Sequence, residues 1–118
     1  MKSSYTGIKR IFKAFTYSGK GLIAVFKTEA AFRQELLIFV IGTFFCFYLS
    51  LSGIERAVLF FSLFLILLME LVNSAIEVII DRISPEYHPL SGRAKDIGSL
   101  LVLMAFINAI FVWTFVLI

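Results

Sequence analysis

Cysteine and histidine are nearly missing: one Cys, at position 46, and one His, at position 88, among 118 residues. A lone cysteine cannot close an intrachain disulfide, and a lone histidine leaves no ligand set for zinc. Cys46 reads as filler in an apolar run, and His88 as a surface or capping residue. Proline occurs only at Pro85 and Pro89, so the polar stretch that holds both cannot be one continuous helix. Glycine-based nucleotide signatures are lacking too. Gly19-Lys20-Gly21-Leu22-Ile23-Ala24 fits the loose pattern G-x-G-x-x-A, but no strand precedes it and no βαβ unit fits. Gly19-Lys20 also lacks the leading glycine and the following Ser or Thr of a P-loop. A cleaved signal peptide is not expected, because seven basic groups precede the first long apolar run.

Apolar side chains are abundant. The chain is 60% hydrophobic with 14 Phe and a mean hydropathy of +0.97, against about 45–50% apolar residues in soluble domains. This implies a single all-α integral-membrane domain over 1–118. Apolar stretches cover 36–51, 57–80 and 97–118. The last is about 33 Å long as a helix, enough for a hydrocarbon core of about 30 Å, and the first is completed by 29–35. The expected elements are a surface helix at about 5–28 and transmembrane helices at about 30–51, 55–81 and 91–118. Ile8, Ile11, Phe12 and Phe15 recur at i, i+3, i+4 and i+7 opposite Lys9, Arg10 and Lys13, which is an interfacial amphipathic pattern. Gly19 and Gly21 predict a weak point in that helix.

Ten of the eleven basic residues fall before the first span or in the 81–96 loop, and only Arg56 lies elsewhere. The positive-inside rule places the N-terminus and that loop in the cytoplasm, with the 50–56 turn and the C-terminus outside. The net charge of +3 suits anionic headgroups or a nucleotide and calls for no nucleic-acid partner.

The second span carries the chemistry. Glu70, Asn73, Ser74, Glu77 and Asp81 share a helical stripe roughly 100° wide, with Leu71, Val72, Ile76, Val78 and Ile79 around the rest. A carboxyl group in hydrocarbon costs about 2.5 kcal/mol or more, so such groups face a protein interior or a wet cavity and mark function. Helix glue would explain Asn73 and Ser74 but not several acids at helical spacing. Elsewhere Glu29 and Arg33 stand at i, i+4, as an ordinary ion pair would. Ser91 is a plausible N-cap for the third span, putting Lys95 and Ser99 on one face. Trp113 has the position of an interfacial belt residue.

The runs 29–35 (EAAFRQE), 70–77 (ELVNSAIE), 81–83 (DRI) and 86–99 (EYHPLSGRAKDIGS) resemble the bacterial integral-membrane diacylglycerol kinase family, over essentially the whole chain. The resemblance implies a homotrimeric helix bundle in the bacterial inner membrane that phosphorylates diacylglycerol to phosphatidate for lipid recycling, using ATP and Mg2+. It implies Glu70 as general base and Glu29 and Glu77 as metal ligands that also serve the ATP site. Arg10, Tyr17, Glu86, Tyr87, His88, Lys95 and Asp96 match other nucleotide-site positions, with Lys95 on phosphate. Glu35, Arg56, Ser99 and Trp113 match the lipid side together with Glu70, and Asn73 supports the base. Tyr48, Phe15 and Asn108 depart from the family pattern. The related polyprenol kinases share the acidic stripe but differ at Ser91-Gly92-Arg93, which favours diacylglycerol as acceptor.

Depth along the helix fits a lipid kinase independently. Glu77 lies about 6 Å and Glu70 about 16 Å from Asp81 along the axis, so nucleotide from water and lipid from the bilayer can meet between them. A small proton-coupled transporter would also carry an intramembrane Glu but commonly needs four spans. A non-enzymatic membrane subunit would leave the Glu29 and Lys95 neighbourhoods without a purpose.

Overall fold

The computed structural model describes residues 6–118 as four helices: α1 (Gly7–Thr28), α2 (Ala30–Tyr48), α3 (Gly53–Ile83) and α4 (Pro89–Leu117). Lys2 and the expected helix start at position 5 lie outside the described residues. Three helices, α2 to α4, are long and apolar enough to cross a membrane.

The boundaries follow from local chemistry. α1 and α2 meet at one extended residue, Glu29, whose N–H donates to Val25 O at 2.9 Å. Arg33 does not form the expected pair with Glu29. Its Nη1 donates to Phe26 O at 2.6 Å and Lys27 O at 3.3 Å, covering carbonyls that the end of α1 leaves open. The glycines do not interrupt α1, which is continuous through Gly19 and Gly21; their cost of about 1 kcal/mol each is too small to break a helix of 22 residues.

α2 ends at Tyr48, three residues short of expectation. A capping box opens α3: Glu55 N–H donates to Ser52 Oγ at 3.1 Å, and Ser52 N–H to Glu55 Oε1 at 2.9 Å. Arg56 reaches back across the turn, with Nε on Cys46 O at 2.7 Å and Nη2 on Leu49 O at 3.4 Å, satisfying the last carbonyls of α2. The third span begins at Pro89, two residues before expectation. His88, not Ser91, is its N-cap, and its Nδ1 accepts from Leu90 N–H at 3.1 Å. Proline at the first helical position needs no N–H partner and has its φ preset, so the helix starts on it.

α3 is the central element, packed by α2 along one side and α4 along another. Small residues set these approaches. A Cβ on Gly42 would collide with Leu63, and one on Gly98 with Asn73 Oδ1, while Ala105 and Ala109 are buried against Ile66. Near the far end of the pair, Trp113 Nε1 donates to Ser62 Oγ at 3.1 Å. Trp113 is half-buried against α3. Val25, Phe32 and Leu67 form a second small core under the α1–α2 junction. That core brings the α1–α2 junction, and with it Glu29, to the groove beside α3.

Candidate active site

The α3 stripe divides along its length. Glu70, Asn73 and Ser74 are buried, Glu77 is half-buried, and Asp81 emerges at the helix end, where Lys95 Nζ pairs with its Oδ1 at 2.9 Å. The polar atoms that would be costly in hydrocarbon are thus turned toward α1, α2 and α4.

Four carboxylates from three chain segments converge on the upper part of this stripe. Glu35, buried on α2, comes within hydrogen-bonding reach of Glu70. Glu29, at the α1–α2 junction, and Glu77 both lie near enough for their charges to act on Glu70. Asn73 Nδ2 donates to Glu77 Oε1 at 3.1 Å, fixing that carboxylate from one turn away. Glu77 also acts electrostatically on Lys95. Glu29, Glu35, Glu70, Asn73, Glu77 and Lys95 therefore belong to one neighbourhood, although 66 positions separate the first from the last.

Between α1 and α3 runs a groove of about 620 Å³, lined by Ser18, Gly21, Val25, Glu29, Leu71 and Ser74 among others. Three buried polar atoms near the carboxylates have no protein partner: Glu35 Oε2, Asn73 Oδ1 and Ser74 Oγ. Of these three residues only Ser74 lines the groove, while Asn73 Oδ1 faces Gly98 on α4. Buried polar groups are ordinarily satisfied, so the unpaired Ser74 hydroxyl marks a place where a ligand can complete the bonding. Magnesium typically takes one or two carboxylates together with substrate phosphates; Glu29 and Glu77 are the two carboxylates whose charges act on Glu70. No group of three or more His, Cys, Asp or Glu suited to holding a metal by itself occurs among the described residues.

The other site residues of the sequence reading are exposed at the surface or, as Arg56 and Trp113, lie toward the opposite end of the bundle. Arg10 and Tyr17 are exposed on α1. Glu86, Tyr87 and His88 line a separate recess of about 290 Å³ at the α3–α4 loop. Asp96 and Ser99 are exposed on α4. Arg56 stands 14 positions from Glu70, about 21 Å along the axis, and Trp113 joins the same distant end. Sequence reasoning missed Gly98, whose lack of a side chain admits Asn73, and the Asp81–Lys95 pair. It placed Ser74 on the stripe without a role of its own, and the Ser74 hydroxyl bonds nothing. Gly98 could have been flagged as a glycine inside a helical run, where it needs a packing reason.

The family model for prokaryotic diacylglycerol kinase matches residues 16–117. The diacylglycerol kinase of Escherichia coli (strain K12) is 46% identical over 117 residues, covering 99% of this chain and 96% of the relative. That of Pseudomonas aeruginosa (PAO1) is 45% identical over 112 residues, with 95% and 91% covered, and that of Haemophilus influenzae (Rd) is 41% identical over 108, with 92% of each covered. With a family match over most of its length and full-length relatives at this identity, the chain belongs to the prokaryotic diacylglycerol kinase family.

Proposed function

We propose that this chain transfers the γ-phosphoryl group of ATP to the primary hydroxyl of membrane diacylglycerol, giving phosphatidate and ADP. The observation that carries the reading is the convergence of Glu29, Glu35 and Glu77 around the buried Glu70, beside a groove that opens between the surface helix and α3.

A primary hydroxyl is a poor nucleophile, and Glu70 is the carboxylate set deepest along the stripe, where a lipid hydroxyl arrives. It takes the hydroxyl proton as the oxygen attacks phosphorus in line. Glu29 and Glu77 would hold a Mg2+ ion accompanying ATP, which would supply charge neutralisation on the phosphates. Asn73 keeps Glu77 oriented. Lys95, which pairs with Asp81 in this structure, is near enough to exchange that exposed partner for phosphate. An exposed pair of this kind contributes little in water, so the exchange costs little. Phosphoryl transfer is mostly positioning and charge stabilisation, which a site without a P-loop can provide.

The chain works in the bacterial inner membrane with its basic N-terminus and the 82–96 loop cytoplasmic and its C-terminus external, so the carboxylate cluster meets cellular ATP. It assembles as a homotrimer with sites at subunit interfaces. In support, α3 and α4 leave Phe60, Phe61, Phe64, Leu68 and Leu103 exposed, and Asn108 is exposed within α4, where a polar group favours a protein neighbour over lipid. The reading is tested by incubating purified protein in mixed micelles with MgATP and either diacylglycerol or a polyprenol. Phosphatidate from the first and little product from the second is the expected result. Preferential phosphorylation of the polyprenol would reassign the acceptor.

A further inference from the structure

The Ser74 hydroxyl differs from several other helical hydroxyls. Thr16, Ser18 and Thr28 each donate to the carbonyl four residues back, at 3.1, 2.9 and 2.8 Å, and Ser62 donates to Leu59 O at 2.7 Å. That back-bond is the usual outlet for a hydroxyl inside a helix. Ser74 is only 7% exposed, yet its Oγ bonds nothing. Thr43 Oγ1 is also unpaired, but it lies eight positions along α2 from Glu35, about 12 Å from the carboxylates. A buried hydroxyl without a partner is destabilising, so folding alone favours alanine at position 74.

Its placement gives the hydroxyl a task. Glu70 and Glu77 are about 10 Å apart along α3, and Ser74 lies between them, about 6 Å from the first and 4.5 Å from the second. It also borders the groove that Glu29 lines. On the reading of the preceding section, an acceptor oxygen beside Glu70 and phosphates beside Glu29 and Glu77 leave the phosphoryl group in transit at the level of Ser74. We propose that Ser74 is a catalytic residue whose hydroxyl donates a hydrogen bond to a non-bridging oxygen of that phosphoryl group. In the step, the bond between the acceptor oxygen and Pγ forms, and the bond from Pγ to the β–γ bridging oxygen breaks. The hydroxyl proton passes to Glu70, and ADP leaves with the electron pair. Ser74 stays intact and stabilises charge on the oxygens between the two partial bonds.

The test compares wild type, Ser74→Ala and Ser74→Thr by steady-state kinetics and thermal unfolding. Ser74→Ala is expected to keep or raise Tm, because it removes an unsatisfied polar atom, while kcat falls tenfold or more and both KM values change less than twofold. Ser74→Thr, which keeps a hydroxyl, should recover part of kcat. With ATPγS as donor, sulfur weakens the bond to Ser74, so the ratio of ATP to ATPγS rates should be larger for wild type than for Ser74→Ala. Wild-type kcat in Ser74→Ala, or an identical ATP to ATPγS ratio, overturns the role of Ser74 while leaving the kinase reading in place. A fall in Tm that accompanies the loss of kcat assigns the hydroxyl to folding and likewise overturns it. Absence of phosphatidate from the wild type itself overturns the kinase reading and this inference with it.

Discussion

Gly98→Ala adds one methyl group at the point where α4 presses on the active-site helix. The new Cβ would collide with Asn73 Oδ1 and stand 3.3 Å from Asn73 Cγ and 3.6 Å from Ile76 Cδ1. Asn73 is a side chain and can turn away, but turning takes Nδ2 off Glu77 Oε1, to which it donates at 3.1 Å. Overpacking of this kind costs about 1–3 kcal/mol, and a hydrogen bond to a charged acceptor contributes about 1.5–3 kcal/mol. Against these stands a gain of up to about 1 kcal/mol for replacing a helical glycine by alanine. The side chain escapes by one route or the other, not both at full cost, so the net expectation is about 1–3 kcal/mol of destabilisation. Activity should fall as well, because Glu77 loses its orienting partner. Unfolding in mixed micelles titrated with SDS gives the first quantity and phosphatidate formation the second. The coupling is specific: in an Asn73→Ala background the collision is gone, and Gly98→Ala should cost nothing or stabilise. Equal destabilisation by Gly98→Ala in both backgrounds would refute the contact as the cause.

The remaining expectations are more compact. Trp113 is the single tryptophan and donates to Ser62 Oγ, so Ser62→Ala should shift the emission maximum of the protein and lower stability by about 1 kcal/mol; an unchanged spectrum would separate the two side chains. If Glu29 and Glu77 share one ion, the losses of metal-dependent ATP affinity in Glu29→Ala and Glu77→Ala should be strongly non-additive, and mixing the two variants should restore some activity where sites are shared between subunits. Full additivity in folded proteins would rule out the common site. In a Cys46→Ala background, Ser84→Cys should react with an impermeant thiol reagent only from the cytoplasmic side and Ser52→Cys only from outside; the reverse pattern would place the carboxylate cluster on the wrong side of the membrane for ATP.

The helices were legible in the sequence because lipid allows so few spanning structures: a long apolar run has little choice but to be a helix. Their ends were less so. Ser91 has the right chemistry for a cap, but Pro89 starts the helix earlier, and His88 supplies the acceptor. Gly19 and Gly21 lower helix propensity without preventing α1. The acidic stripe on α3 was visible from spacing alone, since one helix carries it. Glu29 and Glu35 came to it through the family resemblance, because periodicity within a helix says nothing about which segment packs across it. Contacts set by an absent side chain, as at Gly42 and Gly98, and the unpaired state of Ser74 depend on what lies opposite in space. The same holds for Arg56, whose basic side chain sits apart from the other ten and is consumed in closing α2.

In the proposed reaction the buried Glu70 accepts the proton of a lipid hydroxyl during phosphoryl transfer. The direct measurement is the initial rate of phosphatidate formation by Glu70→Gln in mixed micelles with saturating diacylglycerol and MgATP, on protein whose Tm and oligomeric state match wild type. Glutamine keeps the shape and the hydrogen-bonding reach toward Glu35 but cannot take a proton, so the account predicts a rate reduced by about 10²-fold or more. A rate near that of wild type would contradict it.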